Sequence, residues 1–232
     1  ARERQHRIRA LEREVADLRA ERDRLRRTTV SAPRGGASLP ADPSLSQVIR
    51  FCTTDDGHRL AYATIGEGPP LVRAAHWITH LDYDWHSPVW RHWLEGLAQG
   101  RTLVRYDERG CGLSDHDVEE WSLEAFVHDL ETVVDVLDLE RFPLLGLSQG
   151  GPVAMTYIDR HPERVSHLIL VGSYAQGRVR RARSDEERRE AEVQIELARL
   201  GWGRDDPTFR RFFTSSFIPD APAELWEAFA EL

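Results

Sequence analysis

Short apolar runs alternate with helical patterns along the chain after residue 46, and this alternation predicts the fold class. The apolar runs predict six strands, at residues 47–53, 59–64, 71–75, 102–106, 143–147 and 167–171. Apolar positions at helical spacing predict helices between the later strands, at residues 88–99, 122–137 and 150–160. Strands that alternate with helices form a mostly parallel sheet covered on both faces. We therefore predict an α/β fold in which the first two strands form an antiparallel hairpin.

After residue 171 the pattern predicts helices alone. Ser184, with Glu187 three positions later, predicts a capping box for a helix that ends near Leu200. Two further helical patterns lie near residues 206–216 and 221–231. We interpret residues 177–232 as a helical lid, incomplete in this sequence, that follows an α/β core at residues 48–176.

A basic segment precedes the core. Residues 1–34 carry eleven arginines and six acidic residues, a net charge of +5. The whole chain has a net charge of −8, so the other residues together carry −13. Apolar side chains in this segment fall at a and d positions of a heptad: Ile8, Leu11, Val15, Leu18 and Leu25. We predict a coiled-coil helix over residues 1–27 that forms a homodimer through residues 8–25. A flexible linker, rich in Gly, Pro and small residues, then covers residues 28–47.

Other interpretations of the basic segment stay open. With fewer than three heptads, it is also consistent with a solvated amphipathic helix or with the end of a helix from an upstream domain. Direct nucleic-acid binding is disfavoured, because the interleaved acidic residues cancel most of the attraction to phosphate. The chain has no apolar run long enough to span a membrane, so we expect no membrane partner and a cytoplasmic location. Cys52 and Cys111 are expected to be free thiols.

The strongest chemical signal is a G-x-S-x-G motif. Gly146, Ser148 and Gly150 follow an apolar run and precede a helical pattern, which is the strand–turn–helix context of a nucleophile elbow. The alternative is that Ser148 only caps the following helix. We predict Ser148 as a catalytic nucleophile.

The motifs of the core resemble those of the α/β-hydrolase fold family. Besides the elbow, residues 106–115 (YDERGCGLSD) are similar to the family's D-x-R-G-x-G-x-S loop after the fourth strand. The resemblance implies that Asp107 and Arg109 are structural supports beneath the active site, and it places Cys111 near the pocket.

A second family motif, H-G after the third strand, is only partly matched. His76 corresponds to the histidine, whereas Trp77 replaces the glycine. By resemblance, the backbone N–H of Gln149 and one N–H from Trp77 or Ile78 form the oxyanion hole.

Residues 76–93 are unusually rich in tryptophan and histidine. Pocket lining, with His76 and Trp85 as candidates, and plain helix packing are equally consistent with this composition. His76 and His80 are four residues apart, but no carboxylate accompanies them as in a metal-binding motif, so we predict no metal and no cofactor.

A complete catalytic triad is not visible in the sequence. The family's acid and base follow the lid, and only His161 and His167 follow Ser148. We expect neither histidine to reach Ser148. Residue 1 is Ala, and the only methionine is Met155, so we predict that the sequence is a piece of a longer protein that supplies the Asp and the His.

Several sequence segments of the core, among them residues 51–64 and 80–85, are similar to α/β-hydrolase modules of bacterial transcriptional regulators and nucleotide cyclases. Two functions are therefore expected. One is a serine hydrolase acting on a small ester, amide or lactone. The other is a ligand-sensing module of a regulatory protein with little or no turnover. Both imply a small-molecule substrate or ligand as partner.

Overall fold

The computed structural model describes residues 6, 9, 10, 13, 17, 45–76, 78–203 and 208–231. The strands in these residues are β1 (Gln47–Thr53), β2 (Arg59–Ile65), β3 (Pro70–Ala74), β4 (Thr102–Tyr106), β5 (Phe142–Leu147) and β6 (Val165–Val171). The helices are α1 (Leu81–His86), α2 (Arg91–Ala98), α3 (Leu123–Val136), α4 (Gly150–Arg160), α5 (Arg178–Arg181), α6 (Asp185–Gly201), α7 (Thr208–Ser215) and α8 (Ala223–Ala230).

The strands form one sheet in the order β1-β2-β4-β3-β5-β6. β2 pairs antiparallel with both β1 and β4, whereas β3 pairs parallel with β4 and β5, and β5 pairs parallel with β6. The predicted α/β fold and its antiparallel first hairpin are therefore confirmed.

Alternating residues of the central strands face two apolar clusters, one on each side of the sheet. Val72, Val104 and Leu144 pack with the apolar residues of α3 and α4. Their neighbours in sequence, such as Leu71 and Leu145, pack with the apolar residues of α2. This period of two places helices on both faces, as parallel strands require.

Helix α1 was not predicted. It begins after His80, whose Nδ1 accepts a hydrogen bond from the N–H of Tyr83 at 3.1 Å. Histidine is not among the usual capping residues, so no capping signal in the sequence predicts this helix. Helix α2 begins at Arg91 rather than at residue 88, because the carbonyl oxygen of Ser87 accepts hydrogen bonds from Trp90 and Arg91 in a preceding turn.

The predicted coiled-coil residues Ile8, Leu11, Val15, Leu18 and Leu25 lie outside the described residues. The described residues of that segment are helical: His6, Arg9, Ala10, Arg13 and Asp17. Most of the predicted linker also lies outside. Its last residues do not belong to a linker, because Leu45 packs against the apolar cluster around α2 and Gln47 begins β1.

The chain divides into two compact units, and α5 to α8 belong to a different unit from the sheet. In that unit, Ser184 caps α6 by accepting a hydrogen bond from the N–H of Glu187, as predicted. Val193 and Leu197 of α6 pack with Phe209 of α7. None of the helices in the described part of the chain has both the length and the apolar character needed to cross a membrane.

The edge strand β6 exposes consecutive apolar side chains. Within the described residues it pairs with β5 alone. Ile169, Leu170 and Val171 are each more than 40% exposed. The carboxyl half of β6 is thus apolar and open to solvent on both of its faces.

A buried ion pair joins α1 to the sheet. Arg105 Nη2 in β4 lies 2.6 Å from Asp84 Oδ2 in α1, and both side chains are almost completely buried. Burial raises the pKa of Asp84, and Arg105 and Arg73 oppose that rise. A buried carboxylate of this kind requires its partner, because removing one member leaves an uncompensated charge inside the protein.

We therefore expect Asp84→Asn to destabilise the fold by about 3–5 kcal/mol, because Arg105 loses its counter-charge. Asp82→Asn is the matched control on the same helix, since Asp82 is exposed. The measurement is chemical denaturation of both variants. An Asp84→Asn variant as stable as Asp82→Asn would show that the ion pair does not hold α1 on the sheet.

Candidate active site

Ser148 occupies a strained turn between β5 and α4. Its φ is +50°, in the left-handed region that residues other than glycine seldom adopt. Such a conformation costs about 1–3 kcal/mol and persists only where surrounding contacts enforce it. Here the N–H of Ser148 donates to the carbonyl oxygen of Val171 at 3.0 Å, and the Ser148 carbonyl oxygen accepts from Gly151 at 3.1 Å. The half-buried side chain thus projects from a turn fixed on both sides.

The glycines of the motif are required by the close approach of backbone. A Cβ on Gly146 would lie 2.8 Å from the Cα of Gly151 in the first turn of α4. A Cβ on Gly150 would lie 2.8 Å from the carbonyl oxygen of Ala75, which follows β3. Strand, helix and the neighbouring loop therefore meet with no room for a side chain, as expected for a nucleophile elbow.

The loop after β3 lies beside the elbow and is also strained. β3 and β5 are parallel neighbours in which Ala74 pairs with Gly146, so the residues that follow these strands emerge side by side. Ile78 has a φ of +57°, a true outlier for a β-branched residue. Ile78 and Gln149, two of the predicted oxyanion donors, thus belong to adjacent loops at the carboxyl ends of the central strands. Trp77, the third, lies outside the described residues.

His76, a predicted pocket residue, is buried and held by Arg73. Arg73 Nη2 contacts His76 Nε2, and the His76 ring lies 5.7 Å from that of Trp90. A guanidinium only donates hydrogen bonds, so Nε2 accepts and carries no proton in this contact. The contact with Arg73 therefore occupies Nε2 of His76.

The loop after β4 is anchored by the side chains of Asp107 and Arg109, both of which are fully buried. Asp107 Oδ2 accepts hydrogen bonds from the N–H groups of Leu81 and Leu113, at 3.1 and 2.9 Å. Arg109 binds Asp129 of α3 through Nε and Nη2, at 2.9 and 2.7 Å. These contacts tie the loop to its neighbours. That the two residues support an active site, as the resemblance implies, stays a prediction.

Glu108 and Cys111 lie in the same loop, and both keep their protons at neutral pH. Burial raises the pKa of Glu108 to about 8, with Asp129 and Asp107 adding to the shift. Burial and the neighbouring Glu108 raise the pKa of the Cys111 thiol to about 12. Cys111 Sγ lies 4.0 Å from Glu108 Oε1. A thiol of this kind is a poor nucleophile, because the thiolate is the reactive form.

Trp85, predicted as a pocket candidate, packs in the core. Its side chain is buried in the cluster that contains Leu94 and Leu145. Arg91 covers the ring, with Cζ 3.5 Å from the ring centroid. For Trp85 the structure therefore favours the packing interpretation over pocket lining.

The histidines that follow Ser148 are turned away from it. His161 lies at the carboxyl end of α4, about 16 Å along the helix from its first residue, and its Nε2 lies 2.8 Å from Glu131 Oε1. His167 pairs in register with Pro143, five residues before Ser148. Within the described residues, no hydrogen bond joins a histidine to the Ser148 hydroxyl.

One group of side chains in the described part of the chain could hold a metal ion. Ligand atoms of Asp55, Asp56 and His128 lie within 4.8 Å of one another. However, His128 Nε2 lies 2.9 Å from Asp55, and Asp56 Oδ2 accepts from Arg109 at 2.8 Å. Side chains within the protein thus account for this cluster as an ion-pair network.

The buried charges beside the site were not predicted from the sequence. Arg73 interrupts the apolar run of β3, and Arg105 interrupts that of β4. A charge in the middle of a central strand is unusual, because both faces of a parallel sheet are buried. These two arginines within apolar runs are therefore the sequence feature from which the buried charges could have been predicted.

Comparison with known proteins agrees with this architecture. A family model described as alpha/beta hydrolase fold matches residues 79–230. Epoxide hydrolase 3 of Xenopus tropicalis is 32% identical over 122 residues, which are 51% of this chain and 32% of that protein. A proline iminopeptidase of Lactobacillus helveticus is 42% identical over 83 residues, 33% of this chain and 28% of that protein. The chain thus matches about a third of the length of these relatives.

Solved structures show the same fold. An esterase from Exiguobacterium antarcticum superposes with a TM-score of 0.60 and 26% sequence identity. The match covers 78% of this chain and 66% of the esterase.

The buried carboxyl of Glu108 predicts a pH dependence of stability. Its pKa rises from 4.5 to about 8 on folding, so the folded protein holds a proton that the unfolded chain releases. Stability contributed by this group is therefore lost as pH rises from about 5 to about 8. We expect Glu108→Gln, which mimics the protonated acid, to flatten this decline in melting temperature.

The matched control is Glu119→Gln, since Glu119 is exposed and lies in the same connection between β4 and α3. Asp107 and Asp129 are present in both variants, so the difference between the two melting curves isolates Glu108. A Glu108→Gln profile parallel to that of Glu119→Gln would contradict the assignment.

Proposed function

The chain belongs to the α/β-hydrolase fold family, and from this membership we propose that it is the core of a serine hydrolase. Ser148 Oγ attacks the carbonyl carbon of a small ester, amide or lactone and gives up its proton to a base. The alcohol or amine then leaves, or the lactone ring opens, and water hydrolyses the acyl-enzyme. The observation that carries the proposal is the φ of +50° at Ser148, in a turn that glycines allow to close.

Two backbone N–H groups would stabilise the oxyanion that forms during this attack. One belongs to Gln149, which precedes the first residue of α4. The other belongs to Trp77 or Ile78 in the loop after β3. The positive end of the α4 dipole adds to the stabilisation of negative charge at this point. Ala75 and Gly150 approach closely, which supports placing these donors around one reacting atom.

The acid and the base of the reaction are proposed to come from an Asp and a His outside these 232 residues. Nε2 of His76 is engaged by Arg73, and His161 and His167 lie far along their elements from Ser148. This fits the order Ser, Asp, His in which the fold presents its triad.

A second function is favoured by the same arrangement of histidines. Without a base at Ser148, the site would bind a small molecule but turn it over slowly or not at all. The chain would then serve as a ligand-sensing module of a bacterial regulatory protein.

Labelling with a fluorophosphonate separates the two functions. On the full-length gene product, we expect covalent labelling at Ser148, because a serine activated by a base attacks the phosphorus atom. Ser148→Ala should abolish labelling, and Ser166→Ala on β6 should label like the wild type. Absence of labelling in the folded full-length protein would reject the hydrolase and favour the sensing module.

A further inference from the structure

Arg73 is a fully buried cation beside the candidate site. Its side chain extends from β3 and is 1% exposed. The guanidinium carbon lies 5.4 Å from the ring centroid of Trp90 and 5.3 Å from that of Trp93. These two rings pack edge to face, with centroids 6.0 Å apart. Two aromatic faces therefore contribute cation–π attraction to a charge held out of water.

Among the residues that the structure describes, no carboxylate pairs directly with Arg73. Asp84 is paired with Arg105 at 2.6 Å, and Asp107 accepts backbone hydrogen bonds. The Nε and Nη1 atoms of Arg73 are buried and have no hydrogen-bond partner in the described part of the chain. Burial, with repulsion from Arg105, lowers the pKa of Arg73 to about 10, so the group stays charged at neutral pH. A buried guanidinium with unsatisfied donors lowers the stability of the fold, so packing alone does not explain why Arg73 occupies this position.

The polar side-chain contact that Arg73 does make leads to the loop after β3. Its Nη2 donates to Nε2 of His76, three residues along the chain. Arg73 pairs in register with Leu145, three residues before Ser148. His76 and Ser148 therefore both follow the carboxyl ends of two adjacent parallel strands. Ile78, whose backbone is strained, lies two residues after His76 in the chain.

We propose that Arg73 is a positioning residue for the oxyanion loop of this hydrolase. By fixing the ring of His76, it fixes the backbone from which the donor N–H of Trp77 or Ile78 projects. The inference rests on the proposed function. Arg73 does not touch the substrate, so its loss should slow the acyl-transfer step and leave substrate binding unchanged.

The test measures kcat and KM for p-nitrophenyl butyrate, and the rate of fluorophosphonate labelling, in the full-length gene product. We expect Arg73→Met and His76→Leu each to lower kcat and the labelling rate by about 10²-fold, as a misplaced oxyanion donor does. KM should stay within about twofold. His76→Gln should restore most of the rate, because its Oε1 can accept from Arg73. The double variant should be no slower than either single variant, because the two residues act as a unit.

Arg105→Lys is the matched control, a change of a buried arginine on the adjacent strand that keeps the charge opposite Asp84. It should lower the melting temperature without a specific loss in kcat. A folded Arg73→Met variant with wild-type kcat would overturn the positioning role. If Arg73→Met does not fold, His76→Leu decides by the same criterion. Wild-type protein that is not labelled at Ser148 would remove the proposed function and this inference together, whereas normal labelling of all variants would remove the inference alone.

Discussion

The closeness of backbone to backbone at the carboxyl edge of the sheet is the constraint on which the candidate site depends. Gly146 and Gly150 allow β5, α4 and the loop after β3 to meet without intervening side chains. The close contact of these segments restricts the backbone conformation of Ser148, the residue between strand and helix. The left-handed φ of Ser148 is therefore a consequence of packing around it. The folding free energy of the sheet thus maintains the strained backbone of Ser148. This conformation lets the Ser148 hydroxyl project from the turn, as a nucleophile must.

Buried charged groups interrupt the apolar packing of the central strands and of the loop that follows β4. Each group is accommodated in a different way: Arg105 by an ion pair, Asp107 by backbone N–H groups, and Glu108 by keeping its proton. Arg73 has aromatic faces and one imidazole nitrogen. Such groups contribute little net stability compared with apolar side chains of the same size. They do restrict the number of ways in which the loops after β3 and β4 can pack.

Features with a simple repeat or a fixed spacing were predictable from the sequence. β1 and β4 have the predicted bounds, and the elbow lies in its predicted strand–turn–helix context. Other features depend on contacts between distant residues. Helix α1 depends on an unusual cap. The contact of Arg73 with Trp90, just before α2, and with Trp93 of α2 becomes visible only when helix and sheet are packed together. Roles for Gln149, Ile78 and Cys111 could be suggested by motif, but their geometry comes from the folded loops.

The exposed edge of β6 has a practical consequence for work with these 232 residues. An edge strand with exposed apolar side chains such as Ile169 and Val171 is a template for pairing with other strands. A preparation of this chain would therefore self-associate as its concentration rises. The net charge of −8 opposes that process, because like-charged copies repel one another. Salt screens this repulsion, so low ionic strength and a pH well above the isoelectric point are the conditions that favour dispersed molecules.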